Sequence, residues 1–166
     1  MTSNQLCYLA LGTNLGNRED FIKKALLKLG QEVLIRRVSS IYETAPWGLK
    51  EQGSFLNLCV EIETELSPLS LLNLCQAIEL QLGRKKKIHW GPREIDIDII
   101  FYGEKVIKQE NLIIPHQELV HRQFVLKPLA DLIPNFVHPH LKVSIQELSK
   151  NLAMDGVDYF KDSTFY

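Results

Sequence analysis

The five residues Ile95-Asp96-Ile97-Asp98-Ile99 alternate without exception between a β-branched hydrocarbon and a carboxylate. A strand sends successive side chains to opposite faces, so the three isoleucines fall on one side and both aspartates on the other, about 7 Å apart along the chain. The chain must therefore build a sheet, buried on one face here and carrying two hard anions on the other. Such a pair can hold one or two Mg²⁺ ions through oxygen ligands, with a phosphorylated substrate completing the coordination. A solvated strand face is the alternative, because an aspartate pair at this spacing is a common pattern.

The remaining chain supplies elements to pair and pack with that strand. Residues 5–11 form an apolar run that breaks at Gly12-Thr13-Asn14-Leu15-Gly16-Asn17. Helical spacing follows at Phe21, Ile22, Ala25, Leu26 and Leu29, with Asn17 as N-cap and Gly30 as the expected stop. Residues 33–42 are rich in β-branched side chains, and proline and glycine then predict a long loop over 45–54. Residues 55–64 alternate with period two, placing Leu56, Leu58, Val60 and Ile62 on a core face and Phe55, Asn57, Cys59 and Glu61 on the other. Ser67-Pro68 caps a second helix that should end at Gly83. After the aspartate strand, Gly103-Glu104 is expected to turn the chain back as a hairpin into Val106-Ile107. Residues 115–124 read as a short polar segment, Ser144 and Glu147 suggest a capping box, and the tail 153–166 is left unassigned. Helices interleaved with a strand hairpin predict an α+β sandwich, a mainly antiparallel sheet with helices on one or both faces.

With 166 residues, the chain is expected to form one domain, 1–166. Lys and Arg number 19 against 20 Asp and Glu, so no overall field points to nucleic acid or an anionic membrane. Cys7, Cys59 and Cys75 sit in apolar runs with no metal-ligand or disulfide pattern and read as buried thiols. No basic leader and no apolar run near the roughly 20 residues of a membrane span is present, so a soluble protein of a reducing compartment is expected.

Electrostatic specialisation is local. Residues 84–93 are basic and run directly into the acidic strand, which is what a polyphosphate and its metal ions need from opposite sides. Arg84, Lys86, Arg93 and His89 can stabilise phosphate oxygens, arginine as a planar fork and lysine as a point charge. A merely soluble loop is the plainer reading of at least one of Lys85, Lys86 and Lys87. His116 and Arg122 form a second basic pair. Phe55, Trp90 and Phe124 lie beside polar residues where a flat heterocycle can stack, although each phenylalanine alone more often marks a core. Asn57, on the same strand face as Phe55, offers a donor and an acceptor that suit an amino-oxo edge such as that of guanine or a pterin. Gly12 and Gly16 are not followed by the Gly-Lys-Ser/Thr of a phosphate loop, so a tight turn is preferred there.

These residues, taken together, resemble the signature of the 6-hydroxymethyl-7,8-dihydropterin pyrophosphokinase family. The resemblance is carried by Gly83-Arg84-x-Lys86 and Trp90-Gly91-Pro92-Arg93-Glu94-Ile95-Asp96-Ile97-Asp98-Ile99. It extends to Leu11-Gly12-Thr13-Asn14-Leu15-Gly16, Tyr42-Glu43-Thr44-Ala45-Pro46-Trp47-Gly48, Phe55-Leu56-Asn57, and Pro115-His116 through Arg122 and Phe124. It spans residues 5 to about 140 and leaves no room for fused folate-pathway domains, so a stand-alone enzyme is expected.

The resemblance implies a ferredoxin-like sandwich and transfer of pyrophosphate from ATP to the hydroxymethyl group of the dihydropterin in folate biosynthesis, releasing AMP. Asp96 and Asp98 would bind two Mg²⁺ ions. Phe55 and Phe124 would sandwich the pterin, with Asn57 and the backbone around Thr44 and Trp47 reading its polar edge and Trp90 in a loop closing over it. Gln76, Arg84, Lys86, Arg93, His116 and Arg122 would contact ATP, with Arg84 and Arg93 taking up charge as AMP leaves. Glu79 matches a position near the ATP site without an assigned step. Lys86 stands where arginine is usual, His89 where arginine is frequent, Phe55 where tyrosine is common, and Gln117 in place of an aromatic residue. A cytoplasmic monomer is expected, with ATP and the pterin as its partners and neither nucleic acid nor membrane. Two rivals start from the same residues: a single-stranded nucleic-acid-binding module using the aromatics and the basic loop, and a metal-dependent phosphohydrolase needing no pterin acceptor.

Overall fold

The computed structural model describes residues 3–46, 51–85, 92–153 and 155–163. Trp47, Lys86, His89 and Trp90 lie outside the described residues. The elements run β1 (Gln5–Thr13), α1 (Arg18–Glu32), β2 (Leu34–Val38), β3 (Ile41–Thr44), β4 (Phe55–Thr64), α2 (Pro68–Gln81), β5 (Asp96–Tyr102), β6 (Ile107–Gln109), β7 (Leu112–Ile114), α3 (Gln123–Leu132), α4 (Ile145–Lys150) and β8 (Val157–Lys161). The architecture is α+β, as expected: the main sheet is antiparallel in the order β5-β1-β4-β3-β8, with β2 also pairing to β4. No helix among the described residues is long and apolar enough to cross a membrane.

Alternation along β4 decides which layer each side chain enters. Leu56, Leu58, Val60 and Ile62 join Leu9 and Leu11 of β1 and Ile97 and Ile99 of β5 against Ile22, Leu26 and Leu29 of α1 and Leu71, Cys75 and Ile78 of α2. The opposite face is not solvated. There Tyr8, Cys59, Ile100 and Phe101 pack on Val125, Leu126 and Leu129 of α3 and on Ile145 of α4. The sheet thus carries two helices on each side, and β4 is buried on both faces. All three cysteines are buried free thiols, and burial pushes those of Cys7 and Cys75 up to about 12.

A register shift where Tyr8 pairs with Phe101 but Leu9 with Ile99 leaves Ile100 as an extra residue in β5. Such a bulge re-aims the strand. It puts Phe101 into the second core while Asp96 and Asp98, before the shift, keep to the face away from Ile97 and Ile99.

Several local expectations are met. Asn17 caps α1, accepting from the Asp20 N–H, and Ser67 and Ser144 cap α2 and α4 in the same way. Others are corrected. Gly30 does not stop α1, which continues to Glu32 and closes with the Val33 N–H on the Leu29 carbonyl. The predicted hairpin at Gly103 does not form: the chain turns there at a φ of +52°, but β5 pairs with β1 and β6 pairs with β7 in a separate two-stranded sheet. Residues 115–124 contain a short 3-10 turn and lead into α3, which Pro128 disguises because proline reads as a breaker. The unassigned tail holds β8, paired to β3.

Candidate active site

The site forms where the α3 face of the sheet runs out beyond the helix. Cross-strand register lines up Asp96 of β5, Gly12 of β1 and Asn57 of β4 in one row, with Asp98 opposite Ala10 in the next. Two small residues in β1 leave a floor between the carboxylates and the amide. A cavity of about 320 Å³ opens above it, lined by Gly12, Thr44, Phe55, Asn57, Arg93, Asp96, Asp98, His116, Arg122 and Phe124 among others. Nine of the expected binding residues, all of these but Gly12, thus share one wall system. Gly12 is not the turn residue expected of it. It lies within β1, and a Cβ there would come to 3.0 Å from the Asn57 Oδ1; the turn glycine is Gly16, at φ +58°.

On the polar side, Asn57 is buried and its Nδ2 donates to the Thr44 Oγ1 at 2.8 Å. Phe55 contributes a ring from β4 and Phe124 one from the first turn of α3. The Arg122 guanidinium carbon lies 5.8 Å from the Phe124 ring centroid, within reach of a cation–π attraction.

On the charged side, Asp96 is held by two arginines, Arg84 Nη1 at 2.9 Å and Arg93 Nη1 at 3.0 Å. Arg84 also pairs with Glu79, whose other oxygen accepts from the Ile97 N–H at 2.8 Å. Burial raises the Glu79 carboxyl above its ordinary range, against the pull of the Ile97 N–H and of Arg84. The Arg122 Nη1 and the His116 Nε2 each lie 3.9 Å from the Asp98 Oδ2. Burial, with Arg122 nearby, lowers His116 to about 4. The imidazole is therefore neutral near pH 7 and its approach to Asp98 is not an ion pair. Its Nδ1 accepts from the Glu118 N–H at 3.2 Å, which assigns the ring proton to Nε2, facing the cavity. Among the described residues, the buried Arg84 Nη2 and Arg122 Nε have no hydrogen-bond partner, so two guanidiniums keep donors in reserve beside the carboxylates.

Sequence reasoning missed two features and the role of one residue, Glu79. A second cavity of about 250 Å³ lies at the β5 edge, lined by the aliphatic Leu72, Ile97, Ile99, Leu112 and Ile113 and the polar Glu110 and Asn111, and sharing Asp98, His116 and Gln117 with the first. Nothing in a three-residue strand such as β7 signals a pocket. Asn14 ties three loops together: its Nδ2 donates to the Gln52 Oε1 at 2.9 Å and the Gly53 carbonyl at 3.1 Å, and its Oδ1 accepts from the Arg93 N–H at 2.8 Å. Glu79 lies beneath the acidic strand as the anchor of Arg84. Gln76, by contrast, is exposed on α2 and lies outside the lining of both cavities.

Residues 8–134 match the sequence model of the 7,8-dihydro-6-hydroxymethylpterin-pyrophosphokinase family. The chain belongs to this family. Among its pyrophosphokinase relatives, the 2-amino-4-hydroxy-6-hydroxymethyldihydropteridine pyrophosphokinase of Bacillus subtilis (strain 168) is 47% identical over 131 residues, covering 78% of each chain. The bifunctional protein FolKE of Lactococcus lactis subsp. cremoris (strain MG1363) is 47% identical over 133 residues, which are 79% of this chain and 38% of that longer protein. The crystal structure of wild-type Plasmodium falciparum HPPK-DHPS superimposes with a TM-score of 0.72 at 20% identity, over 90% of this chain and 45% of that one. That likeness shows the pyrophosphokinase fold. Strand β8 and helix α4 lie beyond the stretch matched by the family model.

Proposed function

We propose that the chain transfers pyrophosphate from ATP to the hydroxymethyl group of 6-hydroxymethyl-7,8-dihydropterin, giving AMP and the pterin diphosphate for folate biosynthesis. The observation that carries this reading is the meeting of two cavities at one acidic wall. One, with Phe55, Phe124, Asn57 and Thr44, suits a flat amino-oxo heterocycle; the other, at the sheet edge with aliphatic walls and a polar rim that includes Glu110 and Asn111, suits the adenosine end of a nucleotide. Asp98 and His116 border both, so a triphosphate lying across them would bring its β-phosphorus to the acceptor hydroxyl. Phe55 and Phe124 line a cavity rather than a flat sheet face, which favours a small molecule over stacked nucleic-acid bases.

The residues divide the work. Asn57, its Nδ2 already given to Thr44, presents its remaining polar valences to the pterin edge, and the two phenylalanines orient the ring. Arg93 and Arg122, which line the main cavity, take the phosphate oxygens, and Arg84, behind Asp96 and outside both linings, adds its charge; Arg84 and Arg122 each keep a donor that the protein leaves over. Neutral His116 donates from Nε2 without adding charge. Asp96 and Asp98, on one face, would hold two Mg²⁺ ions, hard cations that prefer oxygen and the company of phosphates; both Asp96 oxygens accept from arginine here, so metal binding would require Arg84 and Arg93 to turn from Asp96 toward the phosphates. Bound there, Mg²⁺ would supply neutralisation of the triphosphate charge and a lower barrier to deprotonating the acceptor. In-line attack within a ternary complex needs positioning, charge neutralisation and exclusion of water rather than a covalent intermediate. The cysteines, all buried with high thiol pKa values, are not available as nucleophiles. A monomeric, single-domain enzyme of the cytoplasm belongs to the same proposal.

The test incubates the protein with ATP, Mg²⁺ and the reduced hydroxymethylpterin and identifies the nucleotide product. AMP formed only with the acceptor is expected. ADP, or hydrolysis without acceptor, would falsify the reaction class. Asp96→Ala and Asp98→Ala should each lower turnover by about 10²-fold or more with an unchanged far-UV circular dichroism spectrum, since both carboxylates face the cavity.

A further inference from the structure

The wall of the main cavity that carries Thr44 and Phe55 is held from behind. These two residues are the last pair of the β3–β4 ladder, after which the chain leaves into the segment 45–54. The residues one step away, Glu43 and Ser54, are bound by a single side chain. Arg18 Nη1 lies 2.6 Å from the Glu43 Oε2 and donates at 2.8 Å to the Ser54 carbonyl. Alternation along β3 puts Glu43 on the same side as Ile41, the α1 face. The grip is therefore exerted across the sheet from the cavity, and Arg18 lines neither pocket.

Arg18 is itself placed by two elements. It is the first residue of α1, directly after the Asn17 cap. Its guanidinium carbon also sits 6.0 Å from the ring centroid of Phe160 in β8, the strand that pairs with β3 from Ile41↔Lys161 to Thr44↔Val157. The neighbours Glu19 and Lys161 form a further ion pair, so the helix start and the C-terminal strand are joined twice. A planar guanidinium lies flat on an aromatic face while its edge donates in two directions, whereas an ammonium keeps the charge but not the stacking.

We propose that Arg18, seated on Phe160, is a positioning residue for recognition of the pterin: it sets the spacing of the two chain stems that carry Thr44 and Phe55. The inference rests on the pyrophosphokinase reading. Because the polar contacts of Arg18 go to the stems of that wall, and to neither Asp96, His116 nor the pocket at the β5 edge, its removal loosens the fit of one substrate and leaves the other alone.

The experiment titrates 6-hydroxymethylpterin into wild-type protein, Arg18→Ala and Arg18→Lys, each with Mg²⁺ and a nonhydrolysable ATP analogue, and titrates the analogue separately. Arg18→Ala is expected to weaken pterin binding about five-fold or more while nucleotide affinity stays within about two-fold, with Arg18→Lys between. If Arg18→Ala does not fold, Glu43→Gln, which removes one partner and keeps its shape, carries the same measurement. Unchanged pterin affinity in a folded variant, or a parallel loss for both ligands, overturns the inference alone. A wild-type protein that binds the nucleotide and no pterin overturns the reading beneath it as well.

Discussion

Gly12 shows how a single atom governs the floor of the cavity. An added Cβ would meet the Asn57 Oδ1 at 3.0 Å, and that amide cannot swing aside without leaving the Thr44 Oγ1. Gly12→Ala should weaken pterin binding about ten-fold, the worth of one misplaced buried polar group, with little effect on ATP; equal affinities by titration would disprove it. His116 makes a prediction with a definite sign. Its folded pKa of about 4 lies below its ordinary value of 6.5, so the unfolded chain takes up the proton first as pH falls. The stability that neutral His116 contributes is whole above pH 6.5, declines between 6.5 and about 4, and amounts to roughly 3 kcal/mol at most. Glu79, with its raised carboxyl pKa, acts in the opposite sense as pH rises, so the comparison needs a His116 variant. Urea midpoints at pH 7 and 4.5 should fall further for the wild type than for His116→Asn. The identities of these residues were legible in the motifs. Their roles were not, since Gly12 read as a turn and the neutral state of His116 depends on burial.

Elements were legible where the signal is local. Asn17, Ser67-Pro68 and Ser144 announced three helix starts because a cap bonds an amide only two or three residues away. Period-two alternation announced β4 and β5 for the same reason. Helix α3 escaped because Pro128 sits inside it, and β8 because five residues of mixed polarity become a strand only beside β3. The loops show the same dependence on partners. Asn14 read as part of a turn, yet its side chain joins the segments around Gln52 and Arg93. Asn14→Ala should cost about 2 kcal/mol through the partners it strands and lower kcat about ten-fold by loosening Arg93. Denaturation and steady-state kinetics on one preparation check both, and an unaltered kcat would leave Asn14 a purely structural tie.

At the scale of the whole molecule, the central strand lies between two cores rather than over one. Leu58 faces α1 and α2, and Leu129 of α3 packs on the other side; both are fully buried. Leu58→Ala and Leu129→Ala should each cost about 2–5 kcal/mol, and urea unfolding followed by fluorescence and circular dichroism should stay a single coincident transition. A Leu129 variant of near wild-type stability would mean that the α3 layer is a loose cover. The site depends on this arrangement, because α3 brings Phe124 and Arg122 to the end of a sheet whose other face is closed by α1 and α2.

By itself, the chain's order of residues determined the alternation that puts Asp96 and Asp98 on one face, the capped helix starts, the antiparallel α+β class and the membership of a pyrophosphokinase family. All of these are written in short-range spacing, where pleat, cap and motif act within a few residues. Only the tertiary structure decided that the second face of β4 is also core, that two cavities share the Asp98–His116 wall, that two arginines converge on Asp96, and that the tail returns as β8 behind Thr44. Those outcomes depend on which strands become neighbours and how deeply each group is buried, and neither quantity exists until distant segments meet.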